Sequence, residues 1–492
     1  MPATEDLAKT ESAASLAARI RRKEISPVEA VDAAIARIEA HNPKINALII
    51  FGYDDARKAA KAAEAAIMHG DDLGPFHGVP MAMKDCFDFK PGWVTTFGGI
   101  RALKNYVVQN YCMFVERMEK AGAIFVGKTN SPVFGFRGTC DNYLFGPSKN
   151  PFDLAKNTGG SSGGSAGAVA AGLLPLCEGT DGGGSIRIPS AWCGVYGYKP
   201  AFGRVPLVTR PEAFNGMTPF IFEGPISRTV EDSALAMSVL AGYDSRDPYA
   251  IEGKVDFRAA LKASIAGKRI AYTRNYDVFP VEKRVVTAVD KAVKAFEEAG
   301  AHVEEVKFDI RHSHMELSDL WCRFIAPRQV AAIEGFKRQG YDLVRDHHDD
   351  FPPEFWYWDE IGRKMSVTQY LADQAIRTEV FDALRNVLDR YDYLVSPTLA
   401  ALPVDNASDG NTLGPAEIEG EKINRLIGWC MTFLINYIGY PAATVPASLS
   451  DTGLPVGMQI VGKRYADFDV IAASAEFERL RPWMKTYERC KL

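Results

Sequence analysis

Two glycine- and serine-rich runs hold the side chains best suited to chemistry. The first is Gly159-Gly160-Ser161-Ser162-Gly163-Gly164-Ser165, and the second is Gly179-Thr180-Asp181-Gly182-Gly183-Gly184-Ser185-Ile186-Arg187. Glycine loses more backbone freedom on folding than any other residue, so such runs point to backbone held close against something. In the second run Gly182, Gly183 and Gly184 lead into Ser185, and consecutive N–H groups there can converge on one point. Preorganised donors beside a nucleophile form the arrangement that attacks a carbonyl and stabilises the resulting oxyanion. Ser185 is the candidate nucleophile.

A serine hydroxyl needs a base. The chain has 8 histidines, and none lies in a motif-like setting near the glycine-rich turns. Lysine is the other option. Lys84 ends the apolar run Val79-Pro80-Met81-Ala82-Met83, and a lysine withdrawn from water can act as a neutral base. Ser161 in the first run can relay the proton, accepting from Ser185 while donating to the lysine.

These residues need elements to place them. Up to about residue 70 the pattern reads as helices, with Ser26-Pro27-Val28-Glu29 forming a capping box that carries proline at the first helical position. From Gly78 short apolar runs alternate with helical ones: Val79–Met83, then Tyr111–Ala121, then Ala123–Val126. Thr229 caps a helix ending near Gly242, Lys268–Thr273 reads as a strand and Arg284–Ala299 as an amphipathic helix. The alternating style returns at Tyr393–Val395 and Ala443–Val445. This is the pattern of an α/β fold, a mixed sheet with helices on its faces. Residues 310–385 differ, being helical in pattern and crowded with aromatics from Trp321 to Trp358. The whole chain, 1–492, is expected to form one domain, with N-terminal helices (1–70), a catalytic core (71–240) and the helical insert.

Composition excludes several classes. The net charge is −5, whereas nucleic-acid binding needs a clustered basic surface. Met1 to Asp6 has an acidic pair and no apolar stretch behind it, and no window is long and apolar enough to span a bilayer. The 8 cysteines are scattered, with no C-x-x-C pair, as expected of reduced thiols in a cytoplasmic protein.

Further runs complete a recognisable set: Gly78-Val79-Pro80 leading to Lys84-Asp85, Gly127-Lys128-Thr129-Asn130, Gly197-Tyr198-Lys199-Pro200, Gly439-Tyr440-Pro441-Ala442 and Gly453-Leu454-Pro455-Val456-Gly457-Met458-Gln459. With the two serine runs, these make the chain resemble the amidase signature family over roughly residues 10–480. The resemblance implies that family's fold, a central twisted mixed sheet flanked by helices on both faces. It also implies a triad of Ser185 as nucleophile, Ser161 on a cis peptide as bridge and Lys84 as base. The backbone N–H groups of Gly182 to Ser185 become the oxyanion donors, Gly135 faces the substrate, and Ser162, Asp181 and Arg187 hold the loops. Beside the resemblance, the aromatic insert with Phe134 and Phe136 just after the Lys128 strand points to an apolar acceptor or leaving group, which makes Phe136 a candidate substrate-binding residue. The resemblance calls for no cofactor and no metal. It implies a small-molecule amide substrate and is compatible with a homodimer. Residue 182 is often larger in the family; here it is glycine, which leaves the acyl side roomier. The chain looks most similar to bacterial amidases of the aryl acylamidase or 6-aminohexanoate cyclic-dimer hydrolase type. The family's transamidases often carry Asp-Gln-Ile-Gly-Pro where this chain has Ile221-Phe222-Glu223-Gly224-Pro225.

Rival readings exist. Gly122 to Thr129 matches the phosphate-loop pattern literally, but its middle residues are Ala-Ile-Phe-Val, a strand and not a flexible loop. Arg345-Asp346-His347-His348-Asp349-Asp350 is expected to be a solvated loop and not a metal site, and Cys322 beside Trp321 to be packing. The aromatics 351–358 read equally as a hydrophobic brace and as a substrate wall. A catalytically inactive binding subunit remains the alternative of another class, disfavoured because all three triad residues are present.

Overall fold

The computed structural model describes residues 11–214 and 216–492; the reading of residues 1–6 lies outside them. Its framework is an 11-stranded sheet. In chain order the strands are β1 (Leu48–Phe51), β2 (Pro80–Lys84), β3 (Ile124–Thr129), β4 (Leu176–Asp181), β5 (Tyr196–Lys199), β6 (Phe222–Ser227), β7 (Arg269–Tyr272), β8 (His302–Glu305), β9 (Tyr393–Pro397), β10 (Ala442–Leu449) and β11 (Pro455–Gly462). Across the sheet they run β1-β3-β2-β4-β6-β5-β10-β11-β9-β7-β8. Pairings are mixed: β2 is parallel to β3 and β4, the central strands pair antiparallel, and β9-β7-β8 is parallel again.

Alternating side chains divide the core, as a strand's two-residue period requires. Met81, Met83, Tyr393, Val395 and Ile460 face one apolar layer. Their neighbours Leu394 and Val461 join a second layer with the insert, and Ala82 joins a third around the N-terminal helices. Helices therefore cover both faces. Local signals set several ends. Ser26 and Glu29 exchange both capping-box bonds at the start of Pro27–Ile45, Thr229 caps Val230–Leu240, and Ser313 with Glu316 forms a second box opening His314–Arg338.

The N-terminal segment differs from the all-helical expectation. Leu48–Phe51 is a strand, antiparallel to β3 at the sheet edge. A run of four apolar residues between helices carries no period long enough to distinguish strand from helix. The expected helix Arg284–Ala299 is present as Lys283–Ala292 and Lys294–Glu298, joined through helical backbone at Val293. The insert consists of His314–Arg338, Pro353–Lys364 and Val367–Leu388. Among the described residues no helix is long and apolar enough to cross a membrane.

Candidate active site

β2 delivers Lys84 at its C-terminal end, and β4 leads straight into the second glycine run. Parallel pairing of β2 with β4 brings the two ends together. Lys84 Nζ donates to Ser161 Oγ at 2.7 Å and to Thr180 Oγ1 at 2.6 Å. The lysine backbone N–H donates to Glu178 Oε2 at 2.9 Å, so β4 holds both ends of this residue. The Gly160–Ser161 peptide is cis, as the family resemblance implies. Ser162 ties the two runs together: its N–H donates to Ser185 O at 3.2 Å, its Oγ donates to Thr180 O, and Thr180 N donates back to Ser162 Oγ. The three expected triad residues are thereby gathered in one place. Exposure grades from Lys84 (1%) through Ser161 (2%) to Ser185 (7%), so the serine expected to meet substrate is the most open of the three.

A buried ion pair fixes the turn ahead of Ser185. Arg187 Nε and Nη2 donate to the two oxygens of Asp181, each at 2.9 Å, with both side chains fully inaccessible. Burial alone would raise the Asp181 carboxyl; the Arg187 guanidinium outweighs it and holds the group below its usual range. Arg187 also donates to Gln459 Oε1 and Asn436 Oδ1, and Asn436 Nδ2 returns a bond to Asp181 Oδ1. A buried pair survives only when its remaining valences are met this way.

One expected donor is already engaged. Gly184 has φ of +124°, and its N–H donates to Asp181 Oδ1 at 2.8 Å, so it is not free for an oxyanion. The N–H groups of Gly182, Gly183 and Ser185 have no protein partner among the described residues. The carbonyls around them are held from outside the run: Trp321 Nε1 donates to Gly182 O at 3.0 Å and Thr432 Oγ1 to Gly183 O at 2.7 Å.

Gly135 has φ of +65°, and a Cβ there would stand 3.0 Å from Ser161 Oγ, so glycine leaves the approach to the bridging serine open. Phe136 is buried, its ring against Phe355 and beneath the Arg137 guanidinium. Phe134, next to Gly135, stacks on Phe87 with centroids 6.1 Å apart, and Phe87 is 45% exposed. Phe336, Phe351 and Phe355 of the insert pack onto Phe134.

Other singled-out residues fall elsewhere. Lys128 lies within β3, fully buried and paired with Asp85. His348 stacks on Trp356 while Arg345 pairs with Asp346 at the surface. Cys322 is buried and accepts a weak bond from Asn424 Nδ2. Asp88, Cys112 and Glu223 are the described residues whose ligand atoms could converge on a cation, all within 4.8 Å of one another. Burial pushes their acids up, Asp88 to about 6 and Glu223 to about 8. Among the described residues neither Asp88 oxygen nor Glu178 Oε1 has a conventional donor. Asp88 and Glu178 lie beside each other, and a retained proton on one supplies the donor the other lacks.

Known proteins resemble this chain over nearly its whole length. The Amidase family's sequence profile matches residues 29–471. The chain belongs to the amidase signature family. Among curated relatives of this amidase is an acylamidase of Rhodococcus erythropolis, 36% identical over 480 residues and covering 96% of each chain. A glutamyl-tRNA(Gln) amidotransferase subunit of Carboxydothermus hydrogenoformans is 32% identical, covering 95% of this chain and 96% of the relative. Among solved structures, a bacterial aryl acylamidase of the amidase signature family superposes with TM-score 0.96 at 49% identity, covering 98% of both chains. A 6-aminohexanoate cyclic dimer hydrolase superposes at 0.83 and 28% identity, over 96% of this chain and 98% of its own. The amidase's fold, a large mixed sheet flanked by helices, is the fold of these structures.

Several residues of this amidase site were not visible as such in the sequence. Thr180 and Gln459 stand inside recognised runs without a distinguishing mark. Thr432 and Trp321 reach the glycine loop from 249 and 139 residues away.

Proposed function

We propose that the protein, an amide hydrolase by family, acts through an acyl-enzyme on Ser185 and prefers anilide-type amides. The observation that carries the first part is the Lys84 Nζ–Ser161 Oγ contact of 2.7 Å beside the Ser185 loop. With the lysine neutral, the Ser161 hydroxyl turns its proton toward Nζ and accepts from Ser185. Ser185 Oγ then bonds to the amide carbon as its proton passes through Ser161 to Lys84. The carbonyl electrons move to the oxygen, which the N–H groups of Gly182, Gly183 and Ser185 receive. Collapse breaks the C–N bond, and the proton returns by the same route to the departing amine. Water repeats the attack and releases the acid.

The aryl preference rests on the rings of Phe87 and Phe134, with the insert's Phe336 and Phe351 behind them, on the side of Gly135. Such a surface suits a flat aromatic amine, and the similarity to the aryl acylamidase supports it. The test is a hydrolysis panel of p-nitroacetanilide, a primary amide, a cyclic amide dimer and a fatty amide. The expected result is a kcat/KM for the anilide well above the others. Preference for the cyclic dimer overturns the aryl reading and leaves amide hydrolysis standing.

A further inference from the structure

The loop that precedes Ser185 is set from the insert. Trp321 lies on the helix His314–Arg338, is 3% exposed, and donates Nε1–H to Gly182 O at 3.0 Å. The Gly182–Gly183 peptide is not among the cis bonds. A trans peptide points its C=O and N–H to opposite sides, so fixing the Gly182 carbonyl fixes the direction of the Gly183 N–H. The following peptide is pinned at both ends, Thr432 on the Gly183 carbonyl and Asp181 on the Gly184 N–H. Of these two peptides, only the first leaves its N–H free. The approach of the indole also selects the residue: a Cβ on Gly183 would stand 2.6 Å from Trp321 Nε1, whereas a Cβ on Gly182 would meet only Ile221, at 3.6 Å.

We propose that Trp321 is a positioning residue for amide hydrolysis, aiming the Gly183 N–H at the developing oxyanion through the Gly182 carbonyl. This rests on the acyl-enzyme reading above. The insert then sets turnover as well as substrate choice, because one of its side chains holds an oxyanion donor in line.

Trp321→Phe keeps an aromatic ring and removes the donor. Its kcat on p-nitroacetanilide should fall roughly tenfold or more, with KM within about twofold, since a misaimed donor costs transition-state binding and little ground-state binding. Gly183→Ala, which displaces the indole while every donor remains, should show the same split and provides a second route if the first variant does not fold. An aryl trifluoromethyl ketone, which forms a tetrahedral adduct on serine, should weaken in parallel with kcat/KM while the acid product binds as before. A Trp321→Phe variant of unchanged Tm with kcat within about twofold of the parent overturns the proposal. Equal losses in ketone and product binding overturn it as well, because simple packing would produce them. Full activity in Ser185→Ala overturns instead the acyl-enzyme reading beneath it.

Discussion

The loops around Ser185 are buried while the aromatic insert is in large part exposed, and different forces hold the two. The loops depend on directed polar bonds: the Asp181–Arg187 pair, Asn436, Gln459 and Thr432. The insert depends on ring packing, with Phe336, Phe351 and Phe355 gathered on Phe134. Hydrogen bonds specify direction and are costly to break when buried. Apolar packing specifies volume and tolerates exchange of similar shapes. On the proposed function, the chemistry resides where geometry is least forgiving, and substrate choice where it can drift. Trp321 joins the two, being packed among the insert's apolar residues yet bonded to the Gly182 carbonyl.

Substitutions on either side of this divide should behave differently. Ser161→Ala removes the bridge between Lys84 and Ser185, and kcat should fall by roughly a thousandfold or more with Tm little changed. Residual activity within tenfold of the parent would show that Lys84 reaches Ser185 without the bridge. Arg187→Met strands the buried Asp181 carboxylate and should destabilise the fold by about 3–5 kcal/mol, read by chemical denaturation. A cost below about 1 kcal/mol would mean the loops are not held by this pair. Phe355→Leu on the insert should cost about 1 kcal/mol and raise KM for the anilide more than for a primary amide. A fall in kcat shared by both substrates would erase the proposed division.

A separate effect concerns pH. Burial raises the Glu223 carboxyl to about 8, so the folded chain keeps a proton that the unfolded chain releases near 4.5. Stability from this group is present below the unfolded value and is lost as pH climbs through about 8. Glu223→Gln carries no ionisable proton, and its side-chain oxygen can still accept from Phe114 N–H. Its Tm should fall less than the parent's between pH 5 and 8; identical slopes would remove Glu223 from the account.

Much of the site was legible in the chain because its parts are local. Lys84 at a strand end, Ser161 in a glycine run and Ser185 after consecutive glycines each announce themselves within a few residues, and the structure gathers them. Capping residues Ser26 and Thr229 likewise mark the helix starts they make. What was not legible depends on distant contacts. Gly184 looks like any other donor until Asp181 is seen to take its N–H. Nothing around Trp321 marks its link to a carbonyl 139 residues earlier. Leu48–Phe51 departs from the helical expectation because its strand identity comes from pairing with β3, not from its own short sequence.

The central claim, that Ser185 carries the acyl group under the control of Ser161 and Lys84, is tested most directly by labelling. The full chain is treated with a fluorophosphonate and the modified peptide located by mass spectrometry, alongside Ser161→Ala and Lys84→Ala variants. The account predicts one adduct per chain, on Ser185, with loss of anilide hydrolysis in step with labelling and far slower labelling in both variants. Stoichiometric labelling of another residue, or undiminished hydrolysis by a chain fully labelled at Ser185, would contradict it.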